Sequence, residues 1–274
     1  MMNGPLTKLR DIIRSYSSVI VAFSGGVDSA LVLFVAKEQL GDRALGVIGN
    51  SPAYPESELA DAIALADSCR LSVRVINTTE HRDPRYLANN ADRCFHCRSH
   101  LFSALSQLAL DEKFDCIADG VHADDLHDHV CGMQAARQYD VRSPLFEAGL
   151  GKTAVRALAH DLRLPVWDKP AMACLASRVP HGTPIEISLL SRINQAEAAL
   201  RSLGFSDFRV RHHGLLARIE LCPEDFPRAL EHHEKIHQLL SAVGYRHITL
   251  DLHPRRRLTA TTHPSSHIAS AFSF

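Results

Sequence analysis

Two groups of residues in this 274-residue chain have the types and spacing to do chemistry. The first is Ser24-Gly25-Gly26-Val27-Asp28-Ser29, which follows the apolar run Val19 to Phe23 and precedes a helix-like stretch from Ala30 to Leu40. A glycine turn between strand and helix is an anion site. Gly25 and Gly26 let the backbone approach without Cβ obstruction, and the first helical amides are free donors at a terminus carrying about +0.5 charge. Ser24 and Ser29 add hydroxyls, and Asp28 can orient the loop or help hold a metal. No Lys follows the second glycine, which excludes the G-x-x-x-x-G-K-S/T phosphate loop. The second group is thiols. Cys94 and Cys97 flank Phe95-His96, and Cys174 stands far along the chain in Met172-Ala173-Cys174-Leu175-Ala176-Ser177-Arg178. A single C-x-x-C suits a redox pair, half a zinc site or part of an iron–sulfur site. A closed zinc site wants four ligands and a second C-x-x-C is absent, whereas three thiolates leave one iron of a cubane cluster open to a sulfide. Arg93, Arg98 and Arg178 flank these cysteines and favour thiolates. Cys69, Cys116, Cys131 and Cys222 lie in apolar or helical stretches and read as packing residues.

Strands and helices must alternate to position these groups. Helical spacing of Leu6, Leu9, Ile12, Ile13 and Tyr16 is followed by strand 19–23, helix 30–40, strand 44–49, helix 56–68 and strand 71–76. A helix near 99–110, a strand 115–119 and a helix 152–162 that closes at Pro165 continue the pattern. Such alternation predicts a parallel sheet covered on both faces, with ligands beyond the carboxyl ends of its strands, at Ser24, Asn50-Ser51, Asn77-Thr78 and Asp119-Gly120. After Pro180-His181-Gly182-Thr183-Pro184 the pattern becomes helix 185–203, strands 207–212 and 215–221, helix 224–241 and strand 246–252. The expected division is therefore an α/β domain over 1–180, a smaller α+β domain over 185–252 and a disordered tail over 253–274.

Composition narrows the classes. A net charge of −1 provides no global basic field, so no nucleic-acid partner is expected. No stretch approaches the roughly 20 apolar residues of a membrane span, and Met1 to Arg14 lacks an apolar signal core. Seven irregularly spaced cysteines then argue for reduced thiols in the cytoplasm rather than a disulfide framework.

The loop at 24–29 resembles the SGGxDS pyrophosphate loop (PP-loop) of the ATP pyrophosphatases. With CFHC at 94–97, DGVHADD at 119–125, the run from Ser143 to Gly182 and RVRHHGLLARIE at 209–220, the chain resembles the LarE family over about residues 5 to 252. That resemblance implies a parallel-sheet PP-loop (adenine nucleotide alpha-hydrolase-like) domain, a smaller α+β domain and a homo-oligomer. It implies an ATP-dependent sulfur transferase that adenylates the carboxylates of pyridinium-3,5-biscarboxylic acid mononucleotide and converts them to thiocarboxylates for the nickel-pincer cofactor of lactate racemase. Ser24, Gly25, Gly26, Asp28, Ser29, Asp124 and Lys152 then belong to the ATP site with Mg²⁺, Asp125 beside them and Asp128 as a weaker candidate. Cys174 matches the sulfur-bearing cysteine, and Ser177 and Arg178 match positions near it. Arg209 and Arg211 match the substrate-phosphate arginines, and Glu197 and Glu220 match acidic positions of the second domain. Some members sacrifice the cysteine sulfur, whereas others hold a 4Fe-4S cluster that carries a sulfide; the trio Cys94, Cys97 and Cys174 favours the cluster type, fed by a sulfide or another sulfur donor. Two alternatives stand beside this reading. A PP-loop tRNA thiolase would want a basic surface, and only Arg255-Arg256-Arg257 forms a basic run; an amide ligase resembling NAD or GMP synthetase would not need the three cysteines.

Overall fold

The computed structural model describes residues 4–126, 130–170 and 174–255. Asp128, Met172 and Ala173, and the tail beyond Arg255, lie outside the described residues. The chain runs α1 (Pro5–Arg14), β1 (Val19–Ala22), α2 (Val27–Leu40), β2 (Ala44–Asn50), α3 (Glu56–Ser68), β3 (Val73–Asn77), α4 (Pro84–Leu87), α5 (Arg93–Glu112), β4 (Cys116–Ala118), α6 (Val130–Gln138), α7 (Pro144–Glu147) and α8 (Lys152–Asp161). It continues through α9 (Ile187–Ser202), β5 (Phe208–His213), β6 (Leu216–Leu221), α10 (Phe226–Glu231), α11 (His233–Ala242) and β7 (His247–Leu250).

The first four strands form one parallel sheet in the order β3-β2-β1-β4, the arrangement that the alternation predicts. Connections from β1 through β2 to β3 walk one way, and β4 returns to the other side of β1. The β1/β4 edge is therefore the topological switch point, where a crevice opens beyond the strand ends. α2 starts the crossover from that edge. Its apolar residues surround the axis and nine of its side chains are buried, as expected for a helix enclosed by sheet, α1 and α8. Each fully buried Leu or Val contributes about 1.5–3 kcal/mol.

Three segments differ from the periodicity-based expectation. α5 begins at Arg93, six residues before Ser99, because its buried stripe there is polar: Arg93 and His96 occupy inward positions ahead of Phe102 and Leu105. Cys94 and Cys97 thus ride on the first turns of a 20-residue helix. The single helix expected over 224–241 is two helices, since the backbone at His232 leaves helical values (φ −94°, ψ 13°). α6 was not anticipated at all.

The C-terminal three-stranded sheet has the order β5-β6-β7, with β5/β6 antiparallel and β6/β7 parallel. Its inner residues Val210, Ala217, Ile219 and Leu221 pack on Leu200 of α9 and Leu240 of α11. A separate apolar cluster bridges the two halves: Ala53 and Tyr86 from the first meet Leu175, Ala176, Val179 and Leu190. Asn89, fully buried with a left-handed backbone (φ 54°), ties the same junction. Its Nδ2 donates to the carbonyls of Pro180 and Thr183, both at 2.8 Å, while its Oδ1 accepts from Arg93 Nη1 at 2.6 Å. Main-chain bonds from Leu175 to Ala53 and from Ile185 to Leu87 (both 2.8 Å) complete the join.

Candidate active site

β1 delivers the Gly25-Gly26 turn to the switch point. Gly25 has φ +69°, and a Cβ there would lie 2.7 Å from Ala62 Cβ of α3, so conformation and space both demand glycine. Ser24 and Ser29 brace the loop rather than project from it. Ser24 N–H donates to Ser29 Oγ (3.1 Å), which in turn donates to the Gly26 carbonyl (3.2 Å). Tyr54 donates its hydroxyl to the Ser24 carbonyl at 3.0 Å. Burial, with Glu58 adding, holds the Tyr54 phenol well above its ordinary range and so keeps it a donor. No side chain of the Gly26 cap occupies the α2 terminus, so its first amides are available to an anion.

Two later segments close on the loop. At the end of β4, Gly120 presses against α2: a Cβ there would lie 2.8 Å from Ser29 N. Lys152, first residue of α8, places Nζ 2.5 Å from Asp28 Oδ2, so this lysine is an ion-pair partner at the site. Asp28 Oδ1 is buried without a hydrogen-bond partner, and a hard divalent cation suits such an oxygen. Asp124 is engaged differently from the expectation: its Oδ2 accepts the Lys152 main-chain N–H at 2.7 Å and caps α8. Asp119 is buried beneath, accepting from Ser143 Oγ at 2.8 Å; burial raises its carboxyl above the ordinary range, with Arg98 opposing.

The thiols gather around the bridging cluster. Cys97 and Cys174 are half-buried against its apolar residues, and Cys94 is exposed at the start of α5. Burial pushes the Cys97 thiol well above its ordinary value, with Cys174, Glu80 and Cys94 adding to the effect and Arg98 opposing it. The expectation that flanking arginines favour thiolates therefore fails at Cys97. Arg93 gives Nη1 to Asn89 and to the Ala176 carbonyl (2.8 Å) and turns Nη2 to Cys94 Sγ (3.9 Å), while Arg178 bonds Glu197. Among the described residues, no set of three or more His, Cys, Asp or Glu side chains is arranged to hold a metal ion.

β5 and β6 supply the cationic end. Arg209 faces Glu220 and Arg211 faces Arg218 across the β5/β6 ladder, so the two arginines share a face. Arg211 bonds Glu220 Oε1 at 2.8 Å and reaches the Ser177 carbonyl at 2.5 Å. Ser177 turns back to donate to the Cys174 carbonyl at 2.7 Å. Arg178 and Glu197 form a buried two-point pair (2.8 and 3.1 Å), and Glu197 Oε1 also accepts Val210 N–H at 3.0 Å. Glu197 is thus neither an outward charge nor an open binding group. Arg209 differs: it lines a cleft of about 240 Å³ with Lys169, Arg201 and Arg255 and with the carboxylates of Glu58, Asp61 and Asp207. Burial and the repulsion of Arg255, Arg178 and Arg211 disfavour its charged form, with Glu220 opposing. Sequence reasoning assigned Arg255 to the tail. It is folded in: its N–H donates to the Leu221 carbonyl (2.9 Å) and its Nη2 to Asp207 Oδ1 (2.8 Å).

The comparisons with known proteins fit this layout. Residues 6–89, which include the loop, match the NAD synthase family. The chain is 39% identical over 254 residues to an uncharacterized protein of Synechocystis sp., spanning 92% of this chain and 95% of that one. It is 34% identical over 241 residues to the pyridinium-3,5-bisthiocarboxylic acid mononucleotide synthase of Lactiplantibacillus plantarum, spanning 88% and 87%. The chain belongs to the LarE family. An uncharacterized protein of Methanocaldococcus jannaschii is 26% identical over 250 residues, 90% of this chain and 95% of the relative. The NAD synthase match ends at residue 89, so the thiols and the arginine strand lie in the part that the longer LarE-family alignment covers and that match does not. Among the described residues no helix is long and apolar enough to cross a membrane.

Proposed function

We propose that the chain is an ATP-dependent sulfur transferase acting on pyridinium-3,5-biscarboxylic acid mononucleotide, with residues 1–180 as the PP-loop domain and residues 185–252 as the substrate and oligomerisation domain. The observation that carries this reading is a continuous set of contacts: Arg211 holds the Ser177 carbonyl, Ser177 holds the Cys174 carbonyl, and Cys174 packs on the cluster against which Cys97 packs. These contacts support a reading in which the arginines of β5 and the thiols serve one substrate. A carboxylate resists a sulfur nucleophile until one of its oxygens becomes a leaving group. Attack of that carboxylate on the ATP α-phosphorus gives an acyl-adenylate and releases pyrophosphate; attack of sulfur on the acyl carbon then expels AMP and leaves a thiocarboxylate. The α2 amides and Lys152 meet the charge that develops on pyrophosphate, and Asp28 would hold hydrated Mg²⁺ through one of its waters, the cation supplying further neutralisation. Arg209, Arg211 and Arg255 meet the substrate phosphate. Cys94, Cys97 and Cys174 would hold a 4Fe-4S cluster, which supplies sulfide from its open iron.

Pyrophosphate release by the full chain should require the pyridinium biscarboxylate nucleotide and ATP, and thiocarboxylate should appear by mass spectrometry only with a sulfur donor. Release of AMP driven by ammonia, with no sulfur in the product, would move the chain to the amide ligases.

A further inference from the structure

His122 has no part in the chemistry above. It sits in the turn after β4, 8% exposed, two residues beyond the Gly120 that packs on α2. Asp125 holds the turn from one side: Oδ2 accepts the His122 main-chain N–H at 3.0 Å, and the same oxygen lies 3.4 Å from the ring Nδ1 without a hydrogen bond to it. The other side of the ring faces Asp28, with Nε2 4.0 Å from Oδ1. That is the buried carboxylate oxygen without a hydrogen-bond partner, Oδ2 being held by Lys152.

A separation of 4.0 Å is too long for a direct hydrogen bond. It is the span of one shared water: at about 2.8 Å from each partner the angle at the water comes to about 90°. Magnesium held by one or two carboxylates and phosphate oxygens keeps several of its waters. A water bound to a cation donates both of its hydrogens, so Nε2 would accept as Asp28 Oδ1 does, with the ring proton on Nδ1 towards Asp125.

We propose that His122 is a positioning residue of the nucleotide site: braced by Asp125, it and Asp28 Oδ1 together take a water of the hydrated cation that accompanies ATP. The loop amides then grip the phosphates while the turn after β4 grips the outer shell of the cation. This inference rests on the ATP reading above. It separates nucleotide affinity into a part set by the loop and a part set by Mg²⁺, and it assigns His122 to the second part alone.

The test is calorimetric titration of α,β-methylene ATP into the full chain, with and without Mg²⁺, for the wild type, His122→Ala and His122→Gln, with a thermal melt of each. Loss of one hydrogen bond to a charged group predicts that His122→Ala weakens Mg²⁺-supported affinity by about tenfold. Metal-free affinity and melting temperature should stay at wild-type values, and His122→Gln, which keeps a terminal amide oxygen as acceptor, should recover most of the loss. Wild-type binding with an unchanged His122→Ala titration overturns the inference alone. Equal loss with and without Mg²⁺, accompanied by a lowered melting temperature and no recovery in His122→Gln, overturns it in favour of a packing role. No binding of the analogue by the wild type overturns the nucleotide reading and the inference with it.

Discussion

Removing Glu197 tests whether the segment that carries Cys174 is held by an ion pair or open to substrate. The side chains of Arg178 and Glu197 are 8% and 5% exposed, and they meet at two points. Glu197→Ala leaves the Arg178 guanidinium buried without its counter-charge and the Val210 N–H without its acceptor. Breaking one side of a buried pair costs about 3–5 kcal/mol. At about 2–4 °C per kcal/mol for a chain of this size, the melting temperature should fall by about 6–20 °C. Circular dichroism melts and urea titrations of the single variant read this directly. The double variant Arg178→Met with Glu197→Leu removes both charges and should regain most of the loss. Its activity should stay low, because Arg178 Nη1 no longer reaches Ser177 Oγ (3.1 Å) and the Cys174 carbonyl (3.3 Å). A Glu197→Ala melt within about 2 °C of wild type, well short of that range, would refute the buried-pair argument. So would a double variant no more stable than the single one.

Other expectations concern the two ends of the site. Gly120→Ala places a Cβ against the backbone nitrogen of Ser29, so ATP affinity measured by calorimetry should drop at least about tenfold while the strand core persists. After anaerobic reconstitution, Cys94→Ala, Cys97→Ala and Cys174→Ala should each lose most iron and visible absorption; dehydroalanine at position 174 in used wild-type enzyme, with Cys94 and Cys97 dispensable, would favour sacrifice of the cysteine sulfur instead. Arg209→Met should raise the melting temperature of the free chain while weakening phosphate binding, because it removes a cation repelled by Arg255, Arg178 and Arg211.

The parallel sheet and its loop were legible because Val19 to Phe23 and the flanking helices carry their periodicity in consecutive residues. The start of α5 was not, since Arg93 and His96 occupy buried positions that hydrophobic spacing reads as surface. Pairings across long separations were equally hidden. Nothing in the local sequence says that Arg178 spends its charge on Glu197, or that Asp124 caps α8 through the Lys152 amide. Arg255 was misplaced for a related reason: the first of three consecutive arginines reads as solvated tail, and its bonds to the Asp207 carboxylate and the Leu221 carbonyl show it to be folded. His122 stood in a quoted motif, but its significance depends on the distance to Asp28, which no spacing rule supplies.

The knot at Asn89 has a consequence for turnover. With one amide side chain clamping two carbonyls of the 180–183 segment, and main-chain bonds on either side, the joint is stitched at several points and cannot serve as a free hinge. A substrate with two carboxylates must nevertheless present each in turn to one site, the second to a fresh ATP and a newly supplied sulfur. If the frame does not swing, the half-finished product must let go, turn over and re-enter, so the singly thiolated species should be found free in solution during the reaction.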